Sequence, residues 1–256
     1  MFNSILKQSP FSLITKKQIS VIRSLNQKKF RDEYQLFVVE GDKIVSEVLK
    51  SFYRPKEIYA TLDWINKNPD VDAQEVTNRE LAQISGQSAP NGVVALVHMQ
   101  DPISLPTQFS GLSLLLDSIS DPGNMGTILR LADWFSVQYV VCSPHCVDRY
   151  NPKVIQASMG SFVRIKHVYT ELNPLIKTLR DAIPIYAMVL EGSNIYDNPF
   201  EPNSLVVIGN ESRGISEKLL QNADKRITIP SFGNAESLNA AIAAGITCSE
   251  YRRVNG

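Results

Sequence analysis

The chain has 256 residues, with 26 basic and 26 acidic side chains and 43% hydrophobic residues, an ordinary globular balance that suits one large domain or two modest ones. Its three cysteines are too few, and too odd in number, for a disulfide framework. No apolar run approaches the roughly 20 residues that cross a bilayer. The opening MFNSILKQSPFSLITKK lacks the long apolar stretch and small-residue cleavage site of a secretory leader, so the expected location is the cytoplasm.

The zero net charge hides an asymmetry. Residues 1–31 carry seven basic side chains (Lys7, Lys16, Lys17, Arg23, Lys28, Lys29, Arg31) and no acidic one, whereas residues 32–105 carry six basic and twelve acidic. Such an arm suits a polyanion at one edge of the molecule, although a solvated helix would carry the same charges. Strand-like runs follow at LFVVEG (36–41), EIYAT (57–61), AQEV (73–76) and GVVALVHM (92–99). Between them, Ile44, Val45, Val48, Leu49 and Phe52 mark a helical face, and Thr77 or Asn78 can cap a short helix carrying Leu81 and Ile84. These elements predict a small α/β domain behind the arm. The segment QDPISLPTQFSG (100–111), with two prolines, a glycine and no apolar period, reads as a linker and divides the chain into 1–105 and 106–256.

Beyond the linker the alternation strengthens. Strands fit at 112–119, 139–142, 162–165 (FVRI), 185–190, 205–210 and 226–230, and helices at 125–135, 152–159, 172–182, 216–223 and 237–252. Near-continuous apolar strands separated by helices predict a parallel sheet covered on both faces. Cys142-Ser-Pro-His145-Cys146 gathers three potential metal ligands, but no second ligand cluster follows, so buried thiols at a strand end are expected and no metal site.

Ligands of such sheets bind beyond the carboxyl ends of the strands, which directs attention to three loops. The first, Asp117 to Gly126, turns at Pro122-Gly123 and offers Asn124 as a helix cap, with Arg130 inside the helix that follows. In the second, Gly209 and Gly214 flank Glu211, and Ser216 can cap the next helix. The third, Ile229 to Asn239, leads through Ser237, a candidate cap, and Leu238 into an alanine-rich helix. Each loop alone is also consistent with an ordinary strand-to-helix turn.

Together the segments DPGNMGTILRLADWF, GNESRGIS and IPSFGNAESLNAAIAAG resemble the SpoU/TrmH family of RNA 2′-O-ribose methyltransferases, in family order and spacing, and DRYNPKVIQASMGSFVRI resembles the stretch between the first two motifs. The resemblance covers residues 112–256. Two departures are Arg213, where the family often has a glycine, and Gln156, where it often has an arginine. VVEGDKIVSEVL and the strand order of the first half are similar to the family's small substrate-binding domain, itself similar to an RNA-binding ribosomal protein.

The resemblance implies an α/β domain closed by a deep trefoil knot, a homodimer, and S-adenosylmethionine as methyl donor, held by backbone at Gly209, Ile229 and Leu238. It implies that Arg130 activates the ribose hydroxyl, with Asn124 and Glu211 orienting it and Ser237 and Asn239 completing the site. The family analogy makes Arg130 the base; because a guanidinium is not deprotonated in proteins, the alternative is an electrostatic clamp on phosphate and developing alkoxide. The implied substrate is RNA, ribosomal RNA first and transfer RNA as the alternative, with a non-catalytic RNA-binding dimer as a further possibility. A dinucleotide-dependent oxidoreductase would need GxGxxG after the first strand, and DPGNMG lacks that spacing.

Overall fold

In the computed structural model the described residues are 14–256, and the chain divides into two compact units between Met99 and Gln100. The first unit begins with two helices, α1 (Lys16–Ser24) and α2 (Lys28–Tyr34). Thr15 caps α1 reciprocally with Gln18. Lys7 of the basic arm lies outside the described residues, and Arg31 is spent internally. It is 2% exposed, and its guanidinium donates to the carbonyls of Leu25 at 2.8 Å and Asn26 at 3.0 Å, which satisfies the end of α1.

Then come β1 (Leu36–Glu40), α3 (Asp42–Leu49), β2 (Pro55–Ala60), α4 (Leu62–Lys67), β3 (Gln74–Glu75), α5 (Asn78–Ile84) and β4 (Val93–His98). The sheet order is β1-β4-β2-β3, with β4 antiparallel to both neighbours and β2 parallel to β3. Thr77 caps α5 through a capping box with Glu80. Ile22, Leu25, Leu36, Val38, Tyr59 and Leu96 meet in one core, so α1 of the basic segment contributes to this unit's interior.

The second unit contains β5 (Leu112–Asp117), α6 (Pro122–Trp134), β6 (Tyr139–Cys142), α7 (Pro152–Ser158), β7 (His167–Tyr169), α8 (Leu172–Leu179), β8 (Ile185–Asn194), β9 (Ser204–Gly209), α9 (Glu217–Leu220), β10 (Lys225–Thr228) and α10 (Ala240–Asn255). Its six strands are all parallel, in the order β10-β8-β9-β5-β6-β7. Every residue of β5 is buried, as expected of a central strand with both faces covered. The chain runs outward from β5 through β6 and β7 and then returns on the other side of β5. The carboxyl ends of β5 and β9 therefore flank a topological switch point, where sheets of this kind leave a crevice.

One expected strand is displaced. FVRI (162–165) is not extended: Ser161–Val163 forms a 3₁₀ turn, and the edge strand comes later, at His167–Tyr169. Met159 ends α7 in the left-handed region and Gly160 follows at φ 93°, so the chain is still reversing where the apolar run sits. The thiols are occupied locally. Cys142 Sγ lies 3.0 Å from His167 Nε2, and Cys146 Sγ donates to Leu116 O at 3.2 Å while accepting from Ile119 N at 3.3 Å.

α6 packs directly on α7, and Gly126 makes that approach possible. A Cβ there would lie 2.5 Å from Ala157 Cβ and 2.7 Å from Val154 O. Gly126→Ala is expected to destabilise the protein by about 1–3 kcal/mol, seen as a lowered Tm in thermal unfolding.

Burial, with Arg149 nearby, holds the His167 imidazole well below its ordinary pKa of 6.5, so it is neutral in the folded protein at neutral pH. The unfolded chain takes up that proton as pH falls through about 6.5, so stability is present above this value and is lost progressively below it. Tm measured from pH 7.5 down to 5.5 should fall for the native chain and fall less for His167→Gln.

Candidate active site

Three loops leave the carboxyl ends of β5, β9 and β10 and converge. After β5, Asp121 rather than Asn124 caps α6, its Oδ1 accepting from Asn124 N at 2.7 Å. Pro122 takes the first helical position, where its missing N–H costs nothing. The Asn124 side chain is thereby released for tertiary bonding. Its Nδ2 donates to Glu211 Oε1, and its Oδ1 accepts from Asn239 Nδ2 at 2.8 Å. Asn239 likewise displaces Ser237 as the cap of α10, accepting from Ala241 N at 2.9 Å and Ile242 N at 3.3 Å. One carboxylate and two carboxamides thus link all three loops.

A second layer lies beneath that chain. Asn210 Nδ2 donates to Ser118 O at 3.0 Å, while Asn210 Oδ1 accepts from Ser212 N at 2.9 Å and Arg213 N at 3.2 Å. Asp117, 7% exposed, accepts from Ser216 N at 2.8 Å. Ser118 is held at φ 61°, an uncommon conformation for a residue with a side chain that persists where neighbours over-determine it. Here its N–H is taken by Ser143 Oγ at 2.9 Å and its carbonyl by Asn210. Asp117, Ser118 and Ser143 lie outside the motifs, and Asn210, although within GNESRGIS, is not singled out there. The signal available in the sequence is a polar residue closing each of two otherwise apolar strands, at Asp117 and Asn210.

A cleft of about 620 Å³ opens beside this framework, within the range of small-molecule sites. Of the eight residues singled out in the sequence, Gly209, Glu211, Ile229, Ser237 and Leu238 line it. Asn124 and Asn239 join it through Glu211. Gly209 has a second reason to be glycine: a Cβ would lie 2.3 Å from the Gly214 carbonyl carbon and 2.4 Å from Ile215 N, blocking the tight Asn210–Gly214 turn. Arg130 stands apart. It is exposed on α6, six residues and roughly 9 Å of helix rise beyond Asn124, and its side chain has no hydrogen bond or ion pair among the described residues.

The second unit matches the SpoU rRNA Methylase family over residues 111–249, more than half of the chain. The protein belongs to that family. Residues 16–95 of this SpoU methylase match the MRM3-like substrate binding domain. The chain is 29% identical to the 23S rRNA (guanosine(2553)-2'-O)-methyltransferase RlmP of Bacillus subtilis, over 90% of this chain and 94% of that one. A solved structure from Porphyromonas gingivalis, assigned to the TrmH family of RNA methyltransferases, is 36% identical and superposes with a TM-score of 0.84, covering 94% of this chain and 99% of the other. The S-adenosylmethionine-bound rRNA methyltransferase of Sinorhizobium meliloti is 29% identical with a TM-score of 0.83, over 94% and 96% of the two chains.

Asn210 supports this methylase's site from below, and two substitutions separate its two ends. Asn210→Ala is expected to cost about 1–3 kcal/mol through unpaired N–H and carbonyl groups and to speed amide exchange at Ser212 and Arg213. Asn210→Asp keeps the acceptor for those two N–H groups, loses the donor to Ser118 O and Ser120 Oγ, and sets a carboxylate oxygen against the Ser118 carbonyl. It should preserve their protection while lowering Tm, measured by hydrogen exchange and thermal unfolding.

Proposed function

We propose that this SpoU methylase transfers the methyl group of S-adenosylmethionine to a ribose 2′-hydroxyl of ribosomal RNA. The observation that carries the reading is the Asn239–Asn124–Glu211 chain, which ties three motif loops together at the lip of a cleft. The cleft suits the donor. Ile208, Ile229, Pro230 and Leu238 offer apolar wall for an adenosyl group, and the carboxylates of Glu211 and Glu236 offer negative charge to its cationic end. When bound, S-adenosylmethionine supplies a methyl already activated on a sulfonium, so no metal is needed for the transfer.

The chain's own task is to place and polarise a poor nucleophile. Gly209, Ile229 and Leu238 hold the donor in the cleft. Asn124 and Asn239, locked by their shared bonds, orient the target ribose, with Glu211 fixing the Asn124 amide and the Ser237 hydroxyl completing the lip. Arg130, unpaired among the described residues and exposed, holds the flanking phosphate and stabilises negative charge developing at the 2′-oxygen. A fixed cation does this without giving up a proton.

In the same reading, residues 1–105 deliver the RNA, and residues 106–256 form the catalytic domain, with its C-terminal segment threaded as a trefoil knot. Support for the threading is that α10 returns to pack against α6 and β9 after the third loop has closed on the first two. The protein acts as a homodimer in the cytoplasm. Support for the dimer is the family resemblance, with Ile242 left 54% exposed near the start of α10.

Arg130→Ala should reduce methyl transfer to ribosomal RNA by more than about tenfold, or 1.4 kcal/mol in the barrier, while leaving S-adenosylmethionine affinity unchanged. Turnover on RNA from a strain lacking the protein, together with calorimetry of the donor, checks both. Near-native turnover would remove Arg130 from the mechanism, and no turnover by the native chain would overturn the function.

A further inference from the structure

We propose that the turn Lys50-Ser-Phe52-Tyr-Arg54-Pro-Lys56, joining α3 to β2, is a grip for single-stranded RNA. The Phe52 ring stacks on a base, and Lys50, Arg54 and Lys56 hold the neighbouring phosphates. The inference rests on the RNA-substrate reading above and adds a contact site to it.

The first observation is where the charge sits. Residues 32–105 hold only six basic side chains against twelve acidic, yet three of the six fall within these seven consecutive positions, with no carboxylate among them. All three are exposed, and none has a carboxylate partner among the described residues. The one hydrogen bond from Arg54 goes to the carbonyl of its own neighbour, Tyr53, at 3.4 Å. An RNA backbone approaching this acidic stretch meets here its densest local run of free positive charge.

The second observation is the ring. Phe52 is 87% exposed, whereas Tyr53 beside it is 2% exposed and packs edge-on against Phe37 at 5.7 Å. Single exposed apolar residues are common and need no explanation. This one differs in being presented from a fixed backbone amid unpaired cations. Ser51 N donates to Val48 O at 3.0 Å, Tyr53 N to Ser51 Oγ at 3.1 Å, and His98 N to Arg54 O at 3.0 Å. With the turn already ordered, stacking a base on Phe52 loses little conformational freedom.

Together the two features specify the ligand. An aromatic platform flanked by cations suits unpaired bases of any sequence, whose faces are free to stack. A duplex keeps its base faces buried in its own stack, so it could use the cations but not the ring.

The test measures binding of the full chain to a short unstructured oligoadenylate and to an RNA duplex of equal length, each at several salt concentrations. Phe52→Ala should weaken oligoadenylate binding about five- to a hundred-fold, the worth of one stacked base, without altering the salt slope or duplex binding, and Phe52→Trp should restore it. Replacing Lys50, Arg54 and Lys56 together by Gln should weaken both ligands and flatten the single-strand salt slope by about 2. All variants should keep native Tm and S-adenosylmethionine affinity. Native-like RNA binding by the alanine and glutamine variants overturns the grip. So does a loss of binding that tracks a change in oligomeric state by sedimentation, which would make the turn a surface for another copy of the chain. A native chain that binds oligoadenylate through this turn but transfers no methyl would overturn the function proposed above and leave the grip standing.

Discussion

The carboxamide of Asn124 is bonded at both ends, to Glu211 and to Asn239, across separations of 87 and 115 residues in the sequence. A carboxamide held at one end can rotate or flip, whereas one held at both ends has a single orientation, because its nitrogen can only donate and its oxygen can only accept. The Glu211 carboxylate makes one of the two bonds charge-assisted, hence stronger than a neutral pair. Around this group the three loops have one relative placement, and the lip of the cleft inherits its shape from that placement.

The tie can form only because the sheet places its members side by side. β5 and β9 are adjacent although three strands intervene in the chain, so Asp117 and Gly209 lie opposite each other in register. Two backbone approaches then depend on absent side chains. Gly126 lets α6 sit on α7, and Gly209 lets the Asn210–Gly214 turn fold back on its own strand. Below the lip, Asn210 and Asp117 hold Ser118 and Ser216, so the polar residues at the two strand ends are used for bracing. This division of labour leaves the Ser237 and Arg130 side chains free of structural duty.

The first unit is organised around a different constraint, the placement of charge. Its helical start carries cations on the surface but draws Ile22, Leu25 and Arg31 inside, so the basic segment from Lys16 onward is a folded face of the unit. Arg31 shows that a cation counted in a sequence is not necessarily available to a ligand, since its donors already satisfy the carbonyls at the end of α1.

What the sequence determined by itself is the material of the sheet and the identity of the polar residues at its carboxyl ends. LSLLLD, YVVC and LVVIG are legible as strands because burial on both faces demands near-continuous apolar runs, and Asn124, Glu211 and Asn239 are legible as a candidate site through the family resemblance of the three loops that carry them. The same apolar criterion misplaced the edge strand at FVRI, since composition does not report that Met159 and Gly160 are reversing the chain just before it. It also assigned helix caps to Asn124 and Ser237, chemically able residues, where Asp121 and Asn239 hold those positions. Tertiary structure alone decided these, along with the bracing roles of Asp117, Ser118, Ser143 and Asn210. Asparagine and serine can each cap, brace or face a ligand with the same atoms. Which of these they do depends on which donor or acceptor the fold brings within about 3 Å, and for these residues that partner lies in a distant part of the chain.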